Sequence, residues 1–388
     1  MKFKTMLVHG HKYYDERSGL FKVPIHLTAI YEQFDWLTNS FRKSDRGYEQ
    51  FYSRDENVTV RALERLLANI EHGVDALAFS SGMAAISTTY FSLLNSGDEV
   101  IISWECYYHT RELLQKLSKF KIRVKLVMPV SSDYIERITN KTKLVILETI
   151  TNPTVKVLDV REVVKACLEN NTYCIVDNTF ATPVIYNPIK DGADLVIHSL
   201  TKYLAGHNDV LGGAIISKEK SLSDKLWLWR SMCGGIISPF DAFLVIRGIN
   251  TLETRFKCEC RNALEIAEYL SEHPKVEEVF YPGLKNSPYN SLANKLFKSR
   301  MYGAIVTFKV KGKSNDALKV LKSLRIIKQA PGFGGVESLI YYPDKYITGI
   351  PVNIRRKLGI SENMLRLSVG LEDVEDLKED LDRALKAI

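Results

Sequence analysis

The stretch His198-Ser199-Leu200-Thr201-Lys202-Tyr203-Leu204-Ala205-Gly206-His207 follows a short apolar run, Asp194-Leu195-Val196-Ile197, which predicts a buried strand. A lysine just past such a strand lies at the edge of a sheet, where α/β folds bind their ligands. Hydroxyls flank this lysine at Ser199 and Thr201, and glycines follow at 206, 212 and 213. This setting suits an amine that forms a Schiff base beside a bound phosphate. Taken alone, the pattern fits a charged residue that ends a strand equally well.

Strands and helices alternate along residues 60–216. Short apolar runs predict strands at residues 75–79, 99–102, 123–127, 144–148, 174–177, 195–198 and 214–216. Helices are predicted from Thr59 to a stop at Gly73, after the turn Ser80-Ser81-Gly82, and over residues 160–169. This alternation predicts an α/β fold with a mostly parallel sheet and helices on both of its faces.

The flanking parts of the chain have different patterns. Residues 1–58 are rich in aromatic and charged residues without a long periodic helix, so we expect this arm to lie across another domain or subunit. A single helix is predicted from about Phe240 to His273, where Pro274 ends it. Later strands and helices predict a smaller C-terminal α+β domain. The predicted boundaries are 1–58 for the arm, 59–245 for the large domain and 246–388 for the small domain.

Polar side chains follow the ends of several predicted strands, namely Asn152, Asp177, Ser199, Thr201 and Lys202. They would converge because the carboxyl ends of parallel strands meet at one edge of a sheet. The turn at Ser81-Gly82-Met83 opens a helix whose free N–H groups can bind an anion. Arg366 lies in an apolar strand and needs either a structural ion pair or a substrate carboxylate. A carboxylate and an amine that meet in one pocket predict a functional site.

Composition limits the kinds of partner. A net charge of +7 from 53 basic and 46 acidic residues is modest for 388 residues, which favours an anionic small molecule over nucleic acid. Six scattered cysteines without a CxxC pair argue against zinc, any other metal cluster or a disulfide framework, and favour a reducing cytoplasm. The N-terminus has no apolar signal core, and no run of about 18 apolar residues predicts a membrane span.

Taken in order, these motifs resemble the Cys/Met-metabolism family of pyridoxal-phosphate (PLP) enzymes, which includes cystathionine γ-synthase, cystathionine γ-lyase and methionine γ-lyase. The resemblance covers about residues 52–376 and rests on Tyr52-Ser53-Arg54 and on residues 80–85, 176–179, 198–203, 206–210, 238–242, 247–248 and 365–373. It implies the aspartate-aminotransferase-like fold (fold type I), pyridoxal 5′-phosphate as the cofactor, and amino acids as the small-molecule substrates.

The resemblance also implies roles for individual residues. Lys202 would carry the cofactor as a Schiff base and then move protons, and Asp177 would pair with the pyridine nitrogen. Tyr107 would stack on the ring, and Asn152 would lie near its hydroxyl. The phosphate would be held by Ser81, Gly82, Met83, Ser199 and Thr201.

Three more residues complete the implied site. In this family, the residues that correspond to Tyr52 and Arg54 reach the phosphate from a neighbouring subunit, which explains why the arm has no core of its own. The minimal active unit would therefore be a homodimer, and the usual assembly a homotetramer. Arg366 would bind the α-carboxylate of the substrate.

The chain departs from the family pattern on the substrate side. Many relatives have Tyr-Gly-Gly-Thr where this chain has Tyr107-Tyr108-His109-Thr110, and Glu-Ser-Leu-Gly-Gly where it has Pro331-Gly332-Phe333-Gly334-Gly335. The resemblance still implies trans-sulfuration, and our first interpretation is a cystathionine γ-synthase-like enzyme of methionine biosynthesis, in which cysteine replaces the γ-substituent of an activated homoserine. Cystathionine or methionine γ-lyase activity is the alternative, and a non-catalytic scaffold of the same fold is a third interpretation.

Overall fold

The computed structural model describes residues 1–11, 19–44, 46–48, 52–345, 347 and 349–388. Its α-helices are α1 (Phe3–His9), α2 (Val58–Glu71), α3 (Gly82–Leu93), α4 (Tyr108–Leu117), α5 (Ser131–Arg137), α6 (Val160–Glu169), α7 (Thr182–Ile185), α8 (Lys220–Cys233), α9 (Pro239–Asn250), α10 (Leu252–Glu272), α11 (Asn290–Leu296), α12 (Ser314–Ser323), α13 (Val352–Leu358) and α14 (Val374–Leu385). Its strands are β1 (Phe34–Asp35), β2 (Ser40–Phe41), β3 (Asp75–Phe79), β4 (Glu99–Ser103), β5 (Arg123–Val127), β6 (Thr142–Glu148), β7 (Tyr173–Asp177), β8 (Leu195–Ser199), β9 (Gly213–Ser217), β10 (Val276–Phe280), β11 (Ile305–Val310), β12 (Lys328–Gln329), β13 (Leu339–Tyr341) and β14 (Met364–Ser368).

The larger sheet has the strand order β3-β9-β8-β7-β6-β4-β5. Strand β9 is antiparallel to both of its neighbours, and the pairs from β8 to β5 are all parallel. Successive strand residues point to opposite faces, so Ile101 and Val145 share a core with α2 and α6, whereas Ile102 and Ile146 share a core with α3 and α4. This arrangement confirms the predicted α/β fold with a mostly parallel sheet.

A second, smaller sheet has the order β10-β11-β14-β13-β12. Its strands pair antiparallel except for β12 and β13, which run parallel. Helix α14 packs on both α10 and α12, and its buried face of Leu377, Leu381, Ala384 and Leu385 belongs to the same core as the apolar residues of β11 and β14. The predicted C-terminal α+β part of the fold is present, and β14 places Arg366 in its centre.

The predicted helix from Phe240 to His273 is wrong, because the chain forms two helices, α9 and α10, separated at Thr251 (φ −108°, ψ 4°). Helix α9 packs very closely on the segment after Lys202: a Cβ at Gly248 would lie 2.1 Å from the carbonyl oxygen of Ala205. From the first turns of α10, Arg255 donates to the carbonyl oxygens of both Tyr203 (3.1 Å) and Gly248 (2.8 Å). The break therefore lets α9 support the segment after Lys202, whereas α10 enters the small domain.

Two other elements differ from the sequence prediction. Helix α2 ends at Glu71, and the left-handed residue is His72 (φ 62°) rather than Gly73. Gly73 has a packing role instead, since a Cβ there would lie 2.3 Å from the Ile216 side chain.

Helix α8 was not predicted at all. Its buried face mixes polar and apolar side chains, Leu222, Ser223, Leu226 and Arg230, which weakens the apolar period that identifies a helix.

The N-terminal segment is attached to the large domain at separate points. Helix α1 buries Leu7 against α2 and α9, and β1 and β2 form a short hairpin. Many large apolar side chains of this segment are exposed, including Phe21, Leu27, Trp36 and Leu37. Among the described residues, no helix combines the length and apolarity required to cross a bilayer.

Candidate active site

A cavity of about 490 Å³ lies between the carboxyl ends of the large-sheet strands and the small domain. Strands β7 and β8 contribute Asp177 and Ser199 to its lining, and β14 contributes Arg366 from the opposite side. The same cavity brings together ten of the residues proposed from the sequence, Ser81, Gly82, Met83, Tyr107, Asn152, Asp177, Ser199, Thr201, Lys202 and Arg366.

Tyr52 and Arg54 do not line this cavity in their own chain. The Arg54 guanidinium lies 5.4 Å from the centre of the Tyr52 ring and 3.5 Å from the carboxylate of Asp55. Both side chains are about half exposed. Their role at a neighbouring subunit therefore stays a prediction.

The first turn of α3 forms one end of the cavity. Ser81 caps this helix by accepting a hydrogen bond from Ala84 N (3.0 Å), and the first N–H groups of a helix have no partner inside the helix. Gly213 allows β9 to approach this turn, because a Cβ there would lie 2.2 Å from the carbonyl oxygen of Ser81. Thr201 Oγ1 accepts from Gly212 N (3.0 Å), so the segment that carries Lys202 is bound to the residue that precedes β9, close to the same turn. Free N–H groups and nearby hydroxyls at a helix N-terminus fit a phosphate.

Asp177, the last residue of β7, is a partly buried carboxylate that lines the cavity. Thr179 N donates to its Oδ1 (3.0 Å), and Thr179 Oγ1 accepts from Ser199 N (3.0 Å), so Thr179 links two strand ends. Burial raises the pKa of Asp177, while the Thr179 hydrogen bonds and His198 oppose this shift. Within the described residues Asp177 has no ion-pair partner. A carboxylate of this kind fits the pyridine nitrogen of PLP, because a protonated ring nitrogen would supply the missing positive charge.

Lys202 has the electrostatics of a reactive amine. Burial, reinforced by the positive charge of Arg366, lowers the pKa of Lys202 to about 8. Its Nζ lies 4.7 Å from the centre of the Phe333 ring. An amine with this pKa is partly neutral near physiological pH, so it can attack an aldehyde or accept a proton.

Arg366 is buried and donates mainly to backbone carbonyls. Its Nη2 bonds to the carbonyl oxygens of Pro331 (3.0 Å) and Gly332 (2.9 Å), and its Nη1 bonds to Asn152 Oδ1 (3.1 Å). The guanidinium also lies 4.1 Å from the centre of the Tyr341 ring. No carboxylate pairs with Arg366 in the part of the chain that is described, so a structural ion pair does not explain it. A buried guanidinium without a counter-charge fits a substrate carboxylate.

The unusual Pro331-Gly332-Phe333 segment is the part of the small domain closest to these groups. Its two carbonyls hold Arg366, and the Phe333 ring lies edge-on to Phe180 with centroids 4.6 Å apart. The segment is closely packed, because a Cβ at Gly334 would lie 2.6 Å from the backbone nitrogen of Tyr203. Pro331 and Gly332 thus hold the Arg366 guanidinium through their backbone carbonyls and not through side chains.

Sequence reasoning missed several cavity residues, namely Glu105, Arg111, Glu148, Thr179, Phe180, Phe333 and Tyr341. Glu148 carried the same signal as Asp177, since it is a carboxylate at the end of a buried strand. Thr179 could have been found as a hydroxyl two residues after Asp177. The aromatic residues carried no comparable signal, because aromatic side chains in apolar surroundings usually belong to the core.

A lysine, a partly buried carboxylate and a helix N-terminus at one edge of a mostly parallel sheet, closed by a smaller domain, define a PLP-dependent enzyme of fold type I. The chain belongs to the Cys/Met metabolism PLP-dependent enzyme family, whose model matches residues 4–386. It is an enzyme of the γ-synthase/lyase type, with pyridoxal phosphate as its cofactor.

Known proteins of this family are similar over the whole chain. A cystathionine beta-lyase from Coxiella burnetii is 37% identical over 98% of this chain and 97% of its own length. A cystathionine gamma-lyase from Bacillus subtilis is 38% identical over 100% of both chains. A crystal structure of cystathionine gamma synthase from Xanthomonas oryzae pv. oryzae, in complex with cystathionine, superposes with a TM-score of 0.93 at 34% identity, covering 100% of this chain and 98% of that one.

Proposed function

We propose that this enzyme acts at the γ-carbon of its amino-acid substrate, with cystathionine as either its product or its substrate. The observation that supports this proposal is a pair of buried guanidinium groups in one cavity. Arg366 lies on β14, and Arg111 lies on α4 near the loop that contains Gly349 and Ile350. Arg111 also donates a hydrogen bond to the carbonyl oxygen of Trp104. Two positive charges in the lining of one cavity suit an amino acid with a carboxylate at each end, and cystathionine is such an amino acid.

The residues of the chain provide the remaining steps. When bound, the cofactor supplies an electron sink for the carbanion at Cα. Lys202, as a neutral amine with a pKa of about 8, removes the Cα proton. Arg366 orients the α-carboxylate, and Asp177 stabilises positive charge on the pyridine nitrogen. Tyr107 would cover one face of the ring.

Two reactions remain as candidates. γ-Replacement, in which cysteine displaces the leaving group of an activated homoserine, is our first candidate, and it is supported by the similarity to solved structures of cystathionine gamma synthase, at 34% identity with a TM-score of 0.93. γ-Elimination from cystathionine is the second candidate, and it is supported by the names of several relatives, which are cystathionine or methionine lyases with 36–38% identity. Both reactions use the same lysine, aspartate and arginine.

The test is a product analysis of the PLP-loaded enzyme. Homoserine esters are supplied with and without cysteine, and cystathionine and methionine are supplied alone. Cystathionine formed only with cysteine supports replacement, whereas a 2-oxo acid and ammonia released from cystathionine support elimination. Arg111→Lys should raise KM for cystathionine at least about tenfold and leave KM for methionine nearly unchanged. Turnover of methionine but not cystathionine would contradict the proposal.

We further propose that the active unit is a homodimer, assembled as a homotetramer in the cytoplasm, in which the arm supplies Tyr52 and Arg54 to a neighbouring site. The exposed apolar side chains of the arm support a covered surface, because monomers rarely expose so many large apolar groups together. The exposure of Tyr52 and Arg54, outside their own cavity, agrees with this arrangement.

A further inference from the structure

A second partly buried carboxylate, Glu148, lies beside Asp177 in the cavity. Glu148 is the last residue of β6, and it pairs in register with Asp177, the last residue of β7. Since paired residues of neighbouring strands point to the same face, both carboxylates line the cavity. Asp177 has a clear partner in the pyridine nitrogen, but nothing in that role requires a second acid.

The hydrogen bonds of Glu148 lead to two other residues of the site. Its Oε1 accepts from the backbone nitrogen of Tyr107 at 2.6 Å, and the backbone N–H of Asn152 lies close enough to the carboxylate to lower its pKa. Tyr107 is the N-cap residue of α4 and has no side-chain capping bond in that helix. Asn152 in turn accepts from Arg366 Nη1 at 3.1 Å. One carboxylate thus connects the start of α4 to the loop that contacts the carboxylate-binding arginine.

We propose that Glu148 is a positioning residue that holds Tyr107 and Asn152 in place at the cofactor site. Without Glu148, the Tyr107 N–H would lose its acceptor, and the start of α4 and the neighbouring Asn152 segment would move to find new partners. The Tyr107 ring and the Asn152 amide would move with them. This role needs the length of the glutamate side chain and one acceptor oxygen, and it does not need a negative charge.

The electrostatic surroundings agree with this role. Burial, and next to it the charge of Asp177, raises the pKa of Glu148 well above its usual value. A raised pKa favours the neutral acid beside Asp177, and a neutral side chain still offers a carbonyl oxygen to the Tyr107 N–H. Asp177 remains the carboxylate that faces the pyridine nitrogen.

Three substitutions distinguish the effect of the length of the Glu148 side chain from the effect of its charge. Glu148→Gln keeps the reach and one acceptor but can never ionise, whereas Glu148→Asp keeps an acid and shortens the side chain by one methylene. Glu148→Ala removes both. Each apoprotein is titrated with PLP, and the visible circular dichroism of the bound cofactor reports how the ring is held. Glu99→Gln, at the amino-terminal end of the neighbouring strand β4 and therefore away from the cavity, is the matched control.

We expect Glu148→Gln and the control to bind PLP within about threefold of the wild type, with an unchanged dichroism spectrum. Glu148→Asp and Glu148→Ala should weaken PLP binding by about tenfold or more and alter the spectrum. If Glu148→Ala does not fold, the comparison between Gln and Asp decides alone. Wild-type affinity in Glu148→Asp, or a defect in Glu148→Gln as large as that in Glu148→Asp, would overturn the proposal. These results do not depend on which amino acid the enzyme uses.

Discussion

Two groups of buried and partly buried charged side chains in this protein are organised in opposite ways. The anchor cluster joins the end of the arm to the large domain through ion pairs and consists of Arg46, Glu56, Arg61, Glu64, Asp75 and Arg230. Arg46 alone contacts Glu56 at 2.8 Å, Glu64 at 2.7 Å and Asp75. In the cavity, by contrast, Lys202, Arg366, Asp177 and Glu148 form no ion pair with any described residue.

The pKa values of Glu64 and Lys202 follow this difference, whereas burial raises the pKa of Glu56 to about 7 in spite of its ion pair with Arg46. Burial opposes the ionisation of Glu64, but Arg230, Arg46 and Arg61 bring its pKa down to about 2. In the cavity, no opposite charge offsets the burial of Lys202, and its pKa is lowered to about 8. A closed set of charges stabilises the fold, whereas charges without internal partners are available to ligands. The comparison therefore predicts that substitutions in the two regions affect different properties.

The largest effect should come from the amine of the cavity. Lys202→Ala is expected to reduce turnover at least about 10³-fold, because it removes both the cofactor attachment and the proton carrier. Lys202→Met should also raise the free energy of unfolding of the apoprotein by about 1 kcal/mol, since a buried charge without a partner is replaced by an apolar side chain. Turnover assays and urea unfolding measure the two effects.

Mixed oligomers provide a control for the Lys202 experiment. Arg54→Ala subunits carry an intact lysine, and Lys202→Ala subunits carry an intact arm. If one site uses both subunits, mixing the two inactive or weakened variants restores part of the activity. Retained turnover in Lys202→Ala alone would contradict the role of the lysine, and no restoration in the mixture would contradict the shared site.

Breaking the anchor cluster should have the next largest effect, and it should act on stability. Arg46→Met leaves three buried carboxylates with fewer partners, so we expect a loss of about 3–5 kcal/mol in the free energy of unfolding of the apoprotein. Arg42→Met is the matched control, because Arg42 pairs with Glu32 and Asp35 at an exposed site, where the expected loss is below about 1 kcal/mol. Equal losses in urea unfolding would remove the distinction between the two kinds of ion pair.

Much of the cavity could be predicted from the sequence, because its side chains follow apolar strands. The predicted strand at residues 123–127 and the predicted helix at residues 160–169 have the same first and last residues as β5 and α6. The partners of Arg366 could not be predicted, since two of them are backbone carbonyls, which carry no signature in the sequence. The break at Thr251 could not be predicted either, because the apolar period continues through it and no glycine or proline stands there to mark the end of a helix.

The smallest predicted effect concerns the pH dependence of cofactor capture. A protonated amine cannot attack the PLP aldehyde, so the rate follows the neutral fraction of Lys202. Because its pKa is lowered from 10.5 to about 8, the second-order rate of PLP capture by the apoprotein should rise about tenfold per pH unit up to about pH 8 and then level off. Pyridoxamine 5′-phosphate, which has no aldehyde, is the control and should show no such rise. A rate that continues to climb to pH 10 would mean that Lys202 is an ordinary solvated lysine. The cavity would then not be a region in which burial shifts a pKa without a compensating charge.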